Sequence, residues 1–218
     1  MDGYELPAAR IILAAFNARG FVMIRSGCVA AIAAILGMLS VSAVADDSLT
    51  THFYVGGDYE YLKLNYKTID GIDVGTVLDD SLNGLSPHIG ATFGQYVGIE
   101  LGYLWSLGGS RTIGSVTTNV KVSGPTFDGM IYIPVKSGDF RFVGTIGLSD
   151  YTGKATTVIG TTNYYSDRTE RGFRAGGGAE YTFTPHVSGR VLIRYQSADF
   201  DGLLNNTILT TAGLNFRF

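Results

Sequence analysis

The sequence predicts an all-β chain: an eight-stranded antiparallel up-and-down transmembrane β-barrel with both termini on the periplasmic side. Three observations carry that prediction. Beyond residue 45, apolar residues recur with a period of two instead of 3.6, and the runs are broken by Gly, Asn and Asp. The connections between these runs alternate between short and long. The chain closes on Leu214-Asn215-Phe216-Arg217-Phe218, which suits a strand whose outer face meets lipid and whose end meets the membrane-water boundary.

The N-terminal part reads as an export leader. From Met23 the chain runs through Arg25 into an apolar stretch from Cys28 to Val41, then Ser42-Ala43-Val44-Ala45 and Asp46-Asp47. The small residues Ala43 and Ala45 predict cleavage after Ala45, and the apolar core is shorter than the ~20 residues of a spanning helix. Residues 23–45 are therefore expected to be a removable signal peptide. Residues 1–22, which include Arg10 and Arg19, fit no part of that leader and read as an overextended gene start. Residues 46–218 remain as one barrel domain. The single cysteine, Cys28, falls in the leader, which leaves residues 46–218 without a thiol for a disulfide, a metal site or nucleophilic catalysis. The apolar stretch follows that cysteine, which argues against lipid attachment. Without Arg10, Arg19 and Arg25, 13 Lys+Arg remain of 16; without Asp2 and Glu5, 17 Asp+Glu remain of 19. That net negative balance argues against nucleic acid as a partner.

Eight alternating segments are predicted at 53–64, 85–93, 97–107, 120–135, 140–152, 171–183, 187–198 and 207–218, several of them near the ~9–11 residues of a tilted transmembrane strand. The connections after even segments are tight: Gly94-Gln95-Tyr96, Lys136 to Asp139, and Thr184-Pro185-His186. Those after odd segments are longer and polar, about 65–84, 108–119, 153–170 and 199–206. Short periplasmic turns opposite longer extracellular loops are the pattern of a barrel in an outer membrane, and an even strand number puts both ends on the turn side.

Parity within each segment separates a lipid-compatible face from a polar one. Val97, Ile99, Leu101, Tyr103, Trp105 and Leu107 share one face of the third segment, opposite Gly98, Glu100, Gly102, Leu104 and Ser106. The inward charges over all segments are Asp58, Glu60, Glu100, Asp128 and Glu180 against Arg141, Arg174, Arg190, Arg194 and Arg217. Eight strands enclose an interior just wide enough for side chains to fill, so this network is expected to plug the lumen. A confined charge that loses its partner costs on the order of 3–5 kcal/mol in a dry site.

Aromatics are expected in two bands. Tyr59, Tyr61, Tyr103, Trp105, Tyr151 and Tyr195 lie toward the loop ends, and Phe53, Phe93, Phe140, Phe183, Phe216 and Phe218 toward the turn ends. A soluble ligand-binding barrel would carry the opposite polarity, apolar inside and polar outside. Of the three histidines, His88 faces the lumen, His52 precedes the first strand, and His186 reads as a turn residue after Pro185. The spacing His186-Val187-Ser188 resembles the His-x-Ser pair of lipid A deacylase barrels, but it falls at a periplasmic turn, away from the outer leaflet where that chemistry belongs. Gly176-Gly177-Gly178 precedes no helix and is no phosphate loop. Asp70, Asp73, Asp79 and Asp80 in loop one lack the spacing of an EF-hand, so solvated charge is expected there instead of metal. Loop three is rich in Thr and Tyr, which suits contact with proteins or glycans. No catalytic residue and no cofactor is expected.

Phe173-Arg174-Ala175-Gly176-Gly177-Gly178-Ala179-Glu180-Tyr181, then Val191-Leu192-Ile193-Arg194-Tyr195 leading to Asp199-Phe200, and the terminal Leu214-Asn215-Phe216-Arg217-Phe218 resemble the sixth, seventh and closing strands of the OmpA/OmpX/opacity-type outer-membrane barrels. The resemblance covers essentially 46–218 and does not include the peptidoglycan-binding domain of OmpA. It implies an outer-membrane location among lipid and lipopolysaccharide, and a monomer. It also implies transit with periplasmic chaperones and insertion by the barrel assembly machinery, which reads a terminal strand such as that of Leu214, Phe216 and Phe218. The expected role is a structural barrel whose surface loops contact an extracellular ligand, as in adhesion; the alternative is a small-solute channel.

Overall fold

The computed structural model describes residues 50–69, 72–73, 75, 78–135, 139–197 and 204–218. The expected leader, with Ala43 and Ala45, lies outside the described residues, as do Asp70, residues 136–138 and most of loop four. Among the described residues eleven strands follow one another: β1 (Thr51–Tyr66), β2 (Thr68–Ile69), β3 (Ile72–Asp73), β4 (Ser81–Phe93), β5 (Val97–Ser106), β6 (Gly109–Ile113), β7 (Val116–Pro134), β8 (Phe140–Ile159), β9 (Thr162–Thr184), β10 (Val187–Ser197) and β11 (Leu204–Arg217). Eight of them form a closed antiparallel ring in the order β5-β4-β1-β11-β10-β9-β8-β7, with β7 pairing back onto β5. Closure between the first and last strands runs from Tyr54 opposite Arg217 to Tyr66 opposite Leu204. A closed ring removes the unpaired backbone edge that an open sheet would present to lipid.

All eight expected segments are present, and each forms one barrel strand. The turn-end connections are short for local reasons. Gly94 takes φ +61° between β4 and β5, a conformation that costs glycine little. Thr184 Oγ1 accepts from the backbone N–H groups of His186 and Val187, which folds Thr184-Pro185-His186 into a turn.

The long connections differ from the expectation. Stretches read as loops 108–119 and 153–170 are mostly strand: β6 and β7 form a hairpin turning at Gly114 (φ +61°), and β8 and β9 form another turning at Gly160 (φ +60°). These extensions carry Thr, Val, Ile and Tyr, good strand formers. Both faces are largely polar, so they lack the apolar alternation that marks a half-buried strand. β7, β8 and β9 therefore reach 19, 20 and 23 residues, far beyond the ~9–11 that cross a bilayer. Their outer halves, with β6, form a four-stranded sheet projecting from the wall past the last rungs shared with β5 and β10, Trp105–Ser123 and Ser197–Phe173.

The outer face of the ring is apolar. Phe53, Leu85, Leu101, Trp105, Ile131, Phe142, Phe173, Val191, Ile193, Leu214, Phe216 and Phe218 all point outward and are exposed. Tyr151 departs from the expected aromatic band. It sits on the inward parity of β8 and is buried in the lumen, where Arg174 donates to its hydroxyl at 3.2 Å.

Candidate functional site

Inside the ring, barrel geometry turns residues on non-adjacent strands into neighbours whenever the residue between them is small. Four rungs show the device. Asp58 (β1) and Arg190 (β10) are both in register with Gly213 of β11 between them. Asp128 (β7) and Arg174 (β9) flank Gly147 of β8. Tyr54 (β1) and Glu100 (β5) flank Gly90 of β4. His88 (β4) and Asn215 (β11) flank Gly56 of β1. In each case a polar contact passes over the glycine, and a Cβ built there would strike one of the two side chains that meet.

Arg190 is the hub. Its Nε and Nη2 donate to the two Asp58 carboxylate oxygens at 3.0 and 2.6 Å, and its Nη1 and Nη2 reach Glu100 at 2.5 and 2.9 Å. Two-pronged guanidinium-carboxylate contacts are the strong, directional kind. Tyr54 Oη donates to Glu100 at 2.9 Å. His88 joins through Nε2, 2.7 Å from Asn215 Oδ1, and Nδ1, 3.3 Å from Arg190 Nη2. The remaining ion pairs have fewer close contacts. Arg174 Nε lies 3.2 Å from Asp128, while Arg194 stands 3.6 Å from Glu60 and 3.9 Å from Glu100. Toward the turn end, Glu180 meets Arg141 at 2.6 Å and Arg217 at 3.8 Å, and the Arg141 guanidinium stacks 3.8 Å from the centre of the Tyr132 ring. All ten charges read as inward thus lie in contact with an opposite charge. Arg217, at the rim, is the most open, its side chain 26% exposed.

Apolar residues lie on both sides of these charges. Leu62, Leu64, Leu82, Leu104, Val122, Leu204 and Leu209, with Tyr151, pack toward the loop end. Met130, Tyr132, Val143 and Leu192 form a smaller cluster. Arg174, Arg194 and Glu60 are among the side chains almost wholly withdrawn from solvent. Chemically the lumen offers paired charges withdrawn from bulk solvent. Asp58, His88 and Glu100 also bring three ligand atoms within 4.8 Å of one another, a spacing a metal ion could use. The Arg190 guanidinium already donates to both carboxylates, so the cation of that cluster is an arginine.

Parity in the sequence pointed to the charges and to the lumen position of His88. It did not show the contacts made by Tyr54, Tyr132, Tyr151 and Asn215. The available signal was polar side chains at inward positions opposite glycine, and it becomes readable only with register. His186, at the β9–β10 turn, stacks on Phe216 and places Nδ1 3.1 Å from the Arg217 carbonyl, whereas Ser188 is buried on the inward parity. Asp80 in loop one pairs with Lys63, and that hydrogen bond holds its carboxyl below the usual carboxylate range. Asp79 Oδ1 accepts from the Ser81 N–H at 3.3 Å. Leu214, Phe216 and Phe218 face outward at the turn end.

A closed ring of eight strands, apolar outside and charged within, is a membrane-spanning β-barrel. The chain belongs to the outer membrane protein β-barrel domain family, which matches residues 31–218. Solved structures agree in fold. Neisserial surface protein A is 19% identical, covering 76% of this chain and 97% of its own, with a TM-score of 0.51. Ail, the attachment invasion locus protein of Yersinia pestis, is 16% identical over 77% and 97% (TM-score 0.51). OprG of Pseudomonas aeruginosa is 15% identical over 78% and 97% (TM-score 0.50). No curated protein matches the sequence. The protein is an outer-membrane β-barrel.

Proposed function

We propose that the protein is a monomeric, closed-lumen anchor in the outer membrane that presents the β6–β9 sheet for contact with an extracellular protein or glycan. In this reading the leader is removed, chaperones and the assembly machinery deliver the barrel, and the turn end with both termini faces the periplasm. The observation that carries it is the projecting sheet. From Ser123 to Val116, β7 runs about 20 Å past its last rung with β5. A membrane anchor alone has no use for that length.

The sheet has a surface suited to recognition. Tyr164 and Tyr165 stand exposed near its tip, Tyr165 at 77%, and aromatic side chains supply contact area at low entropic cost. From Thr162 to Asp167, β9 pairs with β8 on one side and with no described strand on the other, an edge to which an extended peptide could add. Arg111 of β6 donates to the carbonyls of Gly75 and Leu78 at 3.0 and 3.2 Å, tying loop one to the sheet. Paired charges and apolar layers across the lumen favour this reading over a solute channel.

The test is a trimmed barrel in which a two-residue Asn-Gly turn joins Thr152 directly to Thr169, which are opposed in register. Cells displaying the parent should bind host-cell surfaces or sulfated glycan, and cells displaying the trimmed form should not. Ail, a neighbour of this fold, has been crystallised with the heparin analogue sucrose octasulfate, so that compound is the first glycan probe to try. Equal binding by the two forms would refute the reading.

A further inference from the structure

The outward face of the same sheet carries a charge arrangement that neither the lumen nor the exposed tip uses. The register lets its rungs be read from the membrane belt upward. Leu101, Phe127, Leu148 and Phe173 share one apolar rung. Closer to the loop end, Trp105, Ser123, Thr152 and Thr169 share another. On the next outward rung Lys121 of β7 stands directly opposite Lys154 of β8, and Asp167 of β9 is opposite Lys154 on its other side. Beyond them come Asn119, Thr156 and Tyr165.

Both lysines are exposed. Like charges directly opposed on neighbouring strands destabilise a sheet, and on this rung one carboxylate faces two ammonium groups. Rung spacing places the pair about 7 Å beyond Trp105, where the aromatic belt gives way to lipid headgroups. The Lys121 stem lies along the backbone of Gly108, since a Cβ there would stand 3.2 Å from its Cγ and 3.3 Å from its Cε. Ser123 and Thr152 below, and Asn119 and Thr156 above, put hydroxyl and amide donors on the same face. We propose that Lys121 and Lys154 form a binding site for the phosphate of an anionic membrane-lipid headgroup. The phosphate supplies the counter-charge that the opposed ammonium groups lack, and the flanking donors take its remaining oxygens. The site is independent of which leaflet the loop end meets, because the phosphate of a glycolipid and that of a phospholipid present the same chemistry.

The experiment uses the folded full chain in uncharged alkyl-maltoside micelles, titrated separately with lipopolysaccharide, the same lipopolysaccharide stripped of phosphate, phosphatidylglycerol and inorganic phosphate. Each surface lysine contributes about fivefold to attraction for an anionic lipid. Lys121→Gln and Lys154→Gln should each weaken binding by about that factor, and the double variant by about 30-fold. Lys63→Gln, which removes the same charge from the pair with Asp80, should change nothing. Phosphate-stripped lipopolysaccharide should bind the parent no better than the intact lipid binds the double variant. Whichever phosphorylated lipid shows the lysine dependence is the source. Unchanged affinity in the double variant, equal binding of the stripped lipid, or equal affinity for inorganic phosphate would each overturn the proposal. Unfolding in the micelles gives a second reading. The double variant should unfold at the same urea concentration as the parent or a higher one, and a lower midpoint would assign the lysines to the fold and contradict the site.

Discussion

The two halves of this barrel are built from the same strands and obey opposite rules. In the lumen, β7 contributes Asp128, β8 contributes Arg141, and β9 contributes Arg174 and Glu180, and each finds a charged partner. Past the last shared rung, the same three strands carry threonines, tyrosines and lysines, of which Lys121, Lys154, Tyr164 and Tyr165 are exposed to water while Thr118 and Thr157 are buried. The contrast teaches where a small barrel tolerates change. In the lumen a substitution disturbs a polar network that low dielectric makes costly to leave incomplete. At the exposed positions of the projecting sheet water replaces whatever is removed, so stability should be indifferent there and recognition sensitive.

The sharpest way to break that contrast is at the hub. Arg190→Met leaves Asp58 and Glu100 buried with no guanidinium between them, and should cost about 3–5 kcal/mol, read as a lower urea midpoint for barrel unfolding in lipid vesicles. Arg194→Met, whose ion-pair contacts are 3.6 and 3.9 Å, should cost roughly 1–3 kcal/mol. Equal losses would mean that geometry does not grade these pairs.

A second comparison stays on one strand pair. Gly213 sits beneath the Asp58–Arg190 contact, and a Cβ there would strike Asp58 Oδ1 and stand 2.6 Å from the Gly57 carbonyl. Gly57 points outward, and a Cβ added to it would meet nothing within 4 Å. Gly213→Ala should therefore cost roughly 1–3 kcal/mol by overpacking, and Gly57→Ala less than about 0.5 kcal/mol. The same vesicle unfolding assay reads both, and a reversed order would refute the role given to the glycine rungs.

On the projecting sheet the expected effects on stability are small. Trimming the β8–β9 hairpin should move the unfolding midpoint by less than the Arg194 change while abolishing surface binding. The smallest effect belongs to Asp80. Lys63 lowers its folded carboxyl pKa, so its contribution is present above the unfolded value and is lost as pH falls through the folded one. Both partners are over 40% exposed, so solvent screens the pair. Asp80→Asn should leave the unfolding midpoint at neutral pH unchanged within replicate scatter, and a clear drop would place loop one among the elements that hold the barrel.

How much can be read from the sequence follows from the same contrast. Where one face meets lipid and the other the lumen, alternation is strong, and parity alone identifies the eight strands with their inward charges. Tyr151 is the exception, because its place near a strand end points to the aromatic band while its parity points to the lumen. The pairing of charges is not legible, since Asp58 meets Arg190 across an intervening strand, and only register shows that Gly213 lies between them. The β6–β9 extensions stay hidden for the opposite reason, as strands with two polar faces carry no period-two hydrophobic signal. Their Thr-rich stretches at 117–118, 156–157 and 161–162 are the propensity cue.

The central claim is that the lumen is locked shut by its own side chains while the projecting sheet does the contacting. Single-channel recording of the folded protein in a planar bilayer tests it most directly, with folding verified beforehand by compact migration of unheated protein in gel electrophoresis. Silence from demonstrably folded barrels is the predicted result; stable, discrete openings would contradict the closed lumen.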